Sequence, residues 1–409
     1  MHHLSNLKSN SYQKGLFIFS LALILRLASI LFLPEPPLLP DSSDSPYYYT
    51  IAMGLLQKGG FYSPRTGAPE ITEPLYPLFI AAASLIGGGN PVFIKIFQAV
   101  LGSLTCLFVF LLFRRIFFTS SGFLAGIILA VHPVLIQQVS RILTETLFAF
   151  LLVLVFTLFS SAVEKASSPW FLSTGVVLGL CILTRDIAFY LPLFLFVALF
   201  YMMEKKKAAL KGCLLIGMTT VLTVTPWIMR NTMISDSNAL VAHEIATHYW
   251  TDPEGGAFSD SSAGLSTAIR FLPSRLRHLF GHPYGIGHLG GNIRYRMVLF
   301  ILNGLPMKAL GDFLIDWRFW YRGTVVLCHY LILALASAGL IVSFKVRKKA
   351  APLYLLFFYF ITAIVVTTHN PPSRFLYPLF PFFTGFAAAG LFYIRDFYGS
   401  YVHRGSKTD

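Results

Sequence analysis

Charged residues are scarce in this chain of 409 residues, since Asp, Glu, Lys and Arg together make up 12% of it. An ordinary soluble domain is about a quarter charged. Hydrophobic residues make up 55% of the chain, and phenylalanine alone contributes 39 residues. This composition excludes a soluble globular domain, a disordered chain and a collagen-like chain. It is typical of a protein that crosses a membrane many times.

The sequence also lacks the cysteine spacing of disulfide scaffolds and zinc sites. No Walker loop, dinucleotide fingerprint or Gly-x-Ser-x-Gly elbow is present either, which argues against ATP-driven transport. The cysteines have no Cys-x-x-Cys partner and lie in apolar runs, so we interpret them as small apolar side chains. They are Cys106, Cys181, Cys213 and Cys328.

Long apolar runs dominate what is present. About ten of them reach or approach the length needed to cross a bilayer, which predicts an all-α polytopic transmembrane helix bundle. Residues 75–86 form a shorter run, for which we predict a re-entrant or interfacial helix. The first run has no small-residue cleavage site after it, so we expect an uncleaved anchor. The predicted spans are residues 15–33, 92–113, 118–136, 146–163, 170–184, 187–203, 209–228, 323–344, 351–367 and 376–394.

The distribution of charge predicts the topology. With the N-terminus inside, the inner turns hold 16 bases and four acids, whereas the outer segments are nearly neutral. This is the positive-inside pattern, so we expect both termini in the cytoplasm. Residues 1–400 then form one transmembrane domain with two long exoplasmic loops, 34–91 and 229–322. Because the bases are scattered over short turns, no nucleic-acid partner is predicted.

Acidic residues follow the first predicted span. Asp41 and Asp44 precede three tyrosines, and Tyr48, Ala52 and Leu55 fall at helical spacing, which predicts an interfacial helix. A carboxylate at a membrane face can deprotonate an acceptor hydroxyl or hold a divalent cation. Either aspartate could instead be the N-cap of the helix. We favour the cap for Asp41, and both roles stay open for Asp44.

Two more acids are predicted at the outer face. Glu73 precedes Pro-Leu-Tyr76-Pro, where two prolines fix an extended entry into the next helix; its alternative role is that of a solvated loop acid. Glu145 heads a strongly apolar span, where an ionised group is costly, although the helix dipole also favours an acid there. We assign Glu145 to catalysis, and Glu73, Tyr76 and Tyr48 to substrate binding.

Arginines lie at the outer ends of three predicted spans: Arg185, Arg230 and Arg374. A guanidinium binds phosphate through paired hydrogen bonds, so we predict that these residues bind a substrate phosphate. Each could instead reach the interface or bind a lipid headgroup, and Arg185 could pair with Asp186. Arg26 lies within the first span and should face protein rather than lipid.

Two groups of histidines look like metal sites but fail on spacing or context. His243 and His248 are five residues apart, whereas a zinc-binding helix needs a separation of four. His278, His282 and His288 lack a nearby cysteine or a firm helix, so structural or solvent-facing histidines are the favoured interpretation.

Taken together, these residues resemble the GT-C superfamily of membrane glycosyltransferases. The resemblance is greatest to the glycosyltransferase family 39 branch, which includes protein O-mannosyltransferases and lipid A aminoarabinose transferases. It covers residues 15–230 and 350–395 and rests on the order and shared outer-face placement of six motifs. These are Asp44 with Tyr-Tyr-x-x-Ile-Ala, Glu73-Pro-Leu-Tyr-Pro-Leu-Phe, Thr144-Glu145-Thr-Leu-Phe, Leu183-Thr-Arg185, Thr225-Pro-Trp-x-x-Arg230-Asn and Arg374-Phe-Leu-Tyr-Pro.

The resemblance implies a polyprenyl-phosphate-linked sugar donor, a glycan, lipid or protein acceptor on the exoplasmic side, and inversion at the anomeric carbon. It makes Asp44 the candidate base or metal holder, Glu145 the second acid near it, and Arg185 a cation for the donor phosphate. A divalent metal ion on Asp44 and Glu145 is the one cofactor considered. We expect an integral protein of a bacterial plasma membrane, in contact with membrane lipids, with a periplasmic active site.

The chain departs from the family pattern at two positions. Many relatives have Asp-Glu where this chain has Asp44-Ser45, and many have Arg or Lys at the position of Glu73. The reversed charge argues against a phosphate-binding role for Glu73 and hints at a different acceptor. One alternative is a transporter or flippase of a lipid-linked or small substrate, which predicts ionisable residues near mid-membrane. The other is a non-enzymatic assembly subunit.

Overall fold

Helices account for the regular secondary structure in the computed structural model, which describes residues 2–32, 44–64, 67–234, 317–367 and 377–405. Two short 3₁₀ turns, Asp186–Ala188 and Phe344–Val346, connect neighbouring helices. The helices are α1 His2–Phe32, α2 Asp44–Lys58, α3 Leu75–Ile86, α4 Pro91–Ile116, α5 Thr119–Val131, α6 Pro133–Gln138, α7 Glu145–Lys165, α8 Ser168–Ile182, α9 Leu191–Met202, α10 Lys206–Ile234, α11 Trp317–Ser343, α12 Arg347–Thr367 and α13 Phe380–Gly405.

Six helical segments of the described chain are long and apolar enough to cross a membrane. They are Ser11–Phe32, Pro91–Ile116, Glu145–Lys165, Lys206–Ile234, Leu327–Ala363 and Tyr377–Asp396, and Leu327–Ala363 overlaps two of the predicted spans. Three other predicted spans coincide with shorter apolar helices, α5, α8 and α9. The predicted all-α transmembrane bundle is therefore confirmed, and so are the short helices α2 and α3 in the first loop.

One predicted span ends earlier than expected. The apolar run at 118–136 is helical only to Val131, because His132 adopts extended backbone angles and Pro133 begins the separate helix α6. A residue before proline is pushed out of the helical region by the proline ring. The break lets the chain turn before α7 begins at Glu145.

Helix α4 is central, since α1, α3, α5 and α7 all pack against it. Helix α8 packs against α7 and α10, α9 against α12, and α11 against α13. Two of these contacts need glycine. A Cβ at Gly175 in α8 would lie 2.4 Å from the carbonyl oxygen of Ile216 in α10, and one at Gly339 in α11 would overlap the Phe386 carbonyl of α13. Small residues allow such close approach of helices inside a membrane.

Several sequence predictions lie outside the described residues. They concern Asp41, Arg374, the histidines from His243 to His288, and the part of the second outer loop at 235–316.

Candidate functional site

The loop between α2 and α3 is fastened to the turn between α8 and α9. The backbone N–H of Leu75, at the start of α3, donates to the carbonyl of Leu183 over 2.9 Å. The backbone N–H of Asp186 in turn donates to Glu73 Oε1 over 3.2 Å. The first N–H groups of a helix need partners outside it, which is why a carbonyl from the neighbouring turn is found there. Glu73 and Arg185 are thereby brought to the same end of the bundle.

Glu145 and Arg185 form a buried ion pair at this end. Arg185 Nη1 lies 3.5 Å from Glu145 Oε1 and 3.4 Å from the hydroxyl of Thr144. The side chain of Glu145 is 4% exposed and that of Arg185 is 17% exposed. The second carboxylate oxygen of Glu145 has no hydrogen-bond partner among the described residues. The pair therefore leaves one buried acceptor on Glu145, whereas the side chain of Arg185 is partly exposed.

Aromatic rings and an amide form the wall beside this pair. The ring of Tyr48 in α2 meets the ring of Tyr76 in α3 edge to face, with centroids 5.3 Å apart. The Tyr76 hydroxyl donates to Gln98 Oε1 over 2.9 Å, and Gln98 Nε2 donates to the carbonyls of Val139 and Arg141. Gln98 thus links α3 and α4 to the segment that leads into α7.

The phenol of Tyr48 is within electrostatic reach of several charged groups at this end of the bundle. Burial raises the pKa of its phenol most, the negative charges of Glu73, Asp44 and Glu145 raise it further, and Arg185 lowers it. Asp44 is exposed and lies in the first turn of α2. The structure therefore has six of the predicted site residues at this end of the bundle: Asp44, Tyr48, Glu73, Tyr76, Glu145 and Arg185.

Glu73 has an unusual protonation equilibrium. Burial and the negative charge of Asp186 raise its pKa to about 7, against the opposing effect of Arg185. A carboxyl group that titrates near neutral pH can act as either donor or acceptor of a proton. The interpretation of Glu73 as a solvated loop acid is wrong, because the residue is partly buried and bonded to the α8–α9 turn.

Arg230 and Glu70 hold the loop in place from the other side. Arg230 Nη1 donates to the carbonyl of Glu70 over 2.6 Å, and Asn231 Nδ2 donates to the carbonyl of Ile71 over 3.1 Å. The Glu70 carboxylate accepts from the Tyr47 hydroxyl over 2.5 Å. Burial would raise the pKa of Glu70, but Tyr47 and two backbone N–H groups together bring it below its ordinary value. The predicted phosphate-binding role of Arg230 stays a prediction, since its guanidinium already binds the loop.

Sequence reasoning missed the residues that connect the site. Gln98 lies inside a span, where an amide without a hydrogen-bond partner would be costly. An amide at such a position therefore indicates a buried hydrogen bond, and this is a signal that the sequence contains. Asn231 follows Arg230 directly in the Trp-x-x-Arg-Asn motif, and Glu70 lies shortly before Glu73 in the same loop. The distant partners of these side chains are 22 to 160 residues away along the chain, so no local pattern reveals them.

Known proteins resemble this chain both in sequence and in structure. Residues 69–229 match the family model described as dolichyl-phosphate-mannose-protein mannosyltransferase. That range includes Glu73, Tyr76, Glu145 and Arg185, whereas Asp44 precedes it. No curated protein sequence matches the chain.

Solved structures extend the similarity over nearly the whole chain. The oligosaccharyltransferase of Archaeoglobus fulgidus tethered to an acceptor peptide is 15% identical with a TM-score of 0.58, over 95% of this chain and 50% of that one. The archaeal oligosaccharyltransferase AglB from the same organism, in complex with an inhibitory peptide and a dolichol-phosphate, is 14% identical. Its TM-score is 0.53, over 96% of this chain and 51% of that one. ArnT from Cupriavidus metallidurans bound to undecaprenyl phosphate is also 14% identical, with a TM-score of 0.45 over 95% and 77%.

The chain is an integral membrane protein with the fold of the GT-C glycosyltransferases, and the resemblance predicted from its motifs is confirmed. The chain spans about half the length of the oligosaccharyltransferase that it matches.

Proposed function

We propose that this protein is a membrane glycosyltransferase that moves a sugar from a polyprenyl-phosphate-linked donor to an acceptor on the exoplasmic face, with inversion. The observation that carries the proposal is the Glu145–Arg185 ion pair at the end of the bundle where Glu73 bonds to the α8–α9 turn. Asp44 acts electrostatically on Tyr48 at the same end. Acids and a guanidinium together are what transfer from a phosphate leaving group requires.

The chemistry assigns a separate task to each group. An acceptor hydroxyl oxygen attacks the anomeric carbon, the bond from that carbon to the phosphate oxygen breaks, and its electron pair leaves with the lipid phosphate. Asp44, exposed at the start of α2, takes the hydroxyl proton. Arg185 stabilises the negative charge that grows on the phosphate, because a guanidinium offers paired donors to phosphate oxygens.

Glu145 orients the guanidinium of Arg185 rather than attacking the sugar. Its Oε1 lies 3.5 Å from Arg185 Nη1, and the carboxylate is almost fully buried. Glu73 supports the same turn through the Asp186 N–H and titrates near neutral pH. Tyr48 is half-buried and offers an aromatic face against which the sugar ring can pack. Tyr76 is completely buried, so its predicted role in substrate binding is wrong, and it supports the ring of Tyr48 from within the bundle.

A divalent metal ion is a separate proposal with two candidate ligands, Asp44 and Glu145. Mg²⁺ is commonly held by one or two carboxylates together with substrate phosphates, so this pair has the right chemistry. Within the described part of the chain, however, no three His, Cys, Asp or Glu side chains are grouped to hold an ion. A bound ion would supply further positive charge for the leaving phosphate, and Arg185 supplies such charge without it.

The acceptor is a glycan, a lipid or a protein, and the membrane is a bacterial plasma membrane with the site on its periplasmic side. These proposals rest on the outer-face placement of the acids and arginines and on the basic inner turns. The named solved structures contain an acceptor peptide or a lipid phosphate, which supports a lipid-linked donor for this chain as well.

The test is sugar transfer from polyprenyl-phosphate donors in membranes that hold equal amounts of wild type or Asp44→Asn. Asp396→Asn is the matched control, because Asp396 is an exposed aspartate in α13 and pairs with its neighbour Arg395. We expect transfer to fall by roughly a hundredfold in Asp44→Asn, as for loss of a general base, and to persist in the control.

Three other outcomes would count against parts of the proposal. Equal transfer by wild type and Asp44→Asn would remove Asp44 from the chemical step. Transfer that stops on chelation and returns with Mg²⁺ or Mn²⁺ would make Asp44 a metal ligand rather than the base. Movement of lipid-linked sugar across the bilayer with no transfer from any donor would favour the transporter.

A further inference from the structure

A small cavity that several polar groups reach lies within the bundle beside Glu145. Its volume is about 30 Å³, and residues of α1, α4, α5, α6, α7, the start of α13 and the segments next to α6 and α13 line it. Among the lining residues are Arg26, Gln138, Glu145 and Thr146. Each of these four is more than nine-tenths buried. Buried polar groups at a cavity in a membrane bundle need a physical reason, because such groups are expensive there.

Four side-chain atoms at this cavity have no hydrogen-bond partner among the described residues. They are Arg26 Nε, Gln138 Nε2, Glu145 Oε2 and Thr146 Oγ1. The rest of the Arg26 guanidinium is engaged, since Nη1 donates to the carbonyls of Ala22 and Ala130 and Nη2 contacts Cys106 Sγ. Buried polar atoms are rarely left unpaired in native proteins. Because all four residues line the same cavity, a small molecule in that cavity could be the hydrogen-bond partner of all four atoms.

Only one kind of small molecule suits this set of groups. Arg26 Nε and Gln138 Nε2 can only donate, an ionised Glu145 Oε2 can only accept, and the Thr146 hydroxyl can do both. An anion would face the Glu145 carboxylate, and a cation would face the Arg26 guanidinium. Water accepts from the donors and donates to the carboxylate. A cavity of about 30 Å³ is large enough for one or two waters, each with two to four polar partners.

We infer that this cavity is a buried hydration site through which Arg26 positions Glu145. Glu145 is then held from both sides, by Arg185 on Oε1 and by water bonded to Arg26 on Oε2. This arrangement keeps the carboxylate fixed and balances its charge inside the membrane. The positioning role rests on the proposed function, whereas the hydration site does not.

The site explains why the first span carries an arginine. The side chain of Arg26 is 2% exposed, and its Nε would lie 2.7 Å from a Cβ placed on Gly102 in α4. Glycine at position 102 therefore leaves room for the guanidinium, and any larger side chain would push into it. This close packing makes Gly102→Ala a way to disturb the cavity without removing a charge.

The hydration site can be tested by radiolytic hydroxyl-radical footprinting of the full-length protein in detergent or nanodiscs. Radicals form from water, so a buried side chain is oxidised quickly only where bound water touches it. Leu129 lines the cavity at 1% exposure, and Leu178 in α8, at 0% exposure, does not. We expect faster oxidation of Leu129 than of Leu178, and a slower rate at Leu129 in Gly102→Ala. Equal, slow oxidation of both leucines would overturn the hydration site.

The positioning role is tested with a double-mutant cycle of Arg26→Met and Glu145→Gln, followed by thermal unfolding. We expect the double variant to lose less melting temperature than the sum of the two single losses, because each single change leaves one charge buried alone. Additive losses would overturn the link between Arg26 and Glu145. Gly217→Ala is the matched control for Gly102→Ala, since the Cβ that it adds meets only the tip of the Phe196 ring, at 3.4 Å.

Kinetics separate this inference from the proposed function. If the protein transfers sugar, Gly102→Ala should lower kcat by roughly ten- to a hundredfold through misplacement of Glu145, with KM nearly unchanged, and Gly217→Ala should leave both unchanged. Unchanged kcat in Gly102→Ala would remove the positioning role. If wild type transfers nothing, the proposed function fails, and the footprint and the unfolding cycle still decide the hydration site. Should Arg26→Met not fold, Arg26→Gln replaces it in the cycle.

Discussion

The backbone N–H of Asp186 donates a hydrogen bond to Glu73 Oε1 over 3.2 Å, across 113 residues of chain. This contact ties the first outer loop to the α8–α9 turn that carries Arg185. It also gives Glu73 a negative neighbour, because the Asp186 carboxylate and burial both raise the pKa of Glu73. Loop geometry and protonation at the site are therefore controlled by the same pair of residues.

The raised pKa of Glu73 predicts a pH-dependent stability difference. Its pKa is about 7 in the folded protein and 4.5 ordinarily, so the folded state binds the proton more tightly. Wild type should then lose stability as pH rises between these two values. Glu73→Gln cannot ionise. Its melting temperature relative to wild type should therefore increase from about pH 5 to about pH 8, as measured by thermal unfolding in detergent.

Glu70→Gln is the control for this experiment. The pKa of Glu70 is lowered by its hydrogen bonds to Tyr47 and to backbone N–H groups. Its contribution is fully present above the ordinary glutamate pKa and is lost only on acidification. The difference between wild type and Glu70→Gln should stay constant over the same pH range. Parallel pH curves for wild type and Glu73→Gln would contradict the raised pKa.

Loss of Arg185 should destabilise the protein through Glu145. Arg185→Met leaves a carboxylate that is 4% exposed without its cation, and breaking a buried pair costs about 3 kcal/mol or more. Glu145→Gln in the same background removes the stranded charge and should restore part of that stability. Chemical denaturation of the two single variants and the double variant measures the coupling. Equal destabilisation by Arg185→Met whether residue 145 is Glu or Gln would contradict the ion pair.

Arg185→Lys separates charge from geometry. A lysine keeps the positive charge but lacks the planar fork of donors that suits both carboxylate and phosphate. We expect near-normal stability and a fall in transfer of about tenfold, as a lost bidentate contact is worth about 1.4 kcal/mol. Full activity with lysine would show that the site needs only a point charge.

Gln98 should matter for stability more than Tyr76 does. Gln98→Leu leaves the carbonyls of Val139 and Arg141 without their amide donor and the Tyr76 hydroxyl without its acceptor, which costs about 2 kcal/mol or more. Tyr76→Phe removes one hydrogen bond and should cost about 1 kcal/mol. Thermal unfolding of both variants ranks them. A larger loss in Tyr76→Phe would contradict the role of Gln98 as the connector.

Arg230 should fix the first loop. Arg230→Ala removes the 2.6 Å hydrogen bond to the Glu70 carbonyl and the stacking over Trp227, at 4.4 Å from its ring centroid. We expect faster backbone hydrogen exchange in residues 67–73, measured by mass spectrometry, with little change in α7. Arg395→Ala in α13 is the matched control. Unchanged exchange in the loop would leave Arg230 free for the predicted phosphate role.

Much of the fold could be predicted from the sequence, because the requirement for crossing a bilayer applies to each segment separately. Each span needs a continuous apolar run, so α4, α7, α10 and the shorter helices follow from hydropathy alone. The helical spacing of Tyr48, Ala52 and Leu55 similarly predicted α2. The end of α5 at Val131 was missed because one proline decides it, and hydropathy averages over such single residues.

The sequence by itself determined the class of architecture and showed which ionisable residues lie at the ends of the spans. Charge is expensive inside a bilayer, so acids and arginines at span ends are visible in a linear chain. Only the tertiary structure decided which of them meet: Arg185 with Glu145, Glu73 with the Asp186 N–H, and Arg230 with the Glu70 carbonyl. Those contacts join residues 40 to 160 positions apart, and they depend on the packing of helices, which no local pattern encodes.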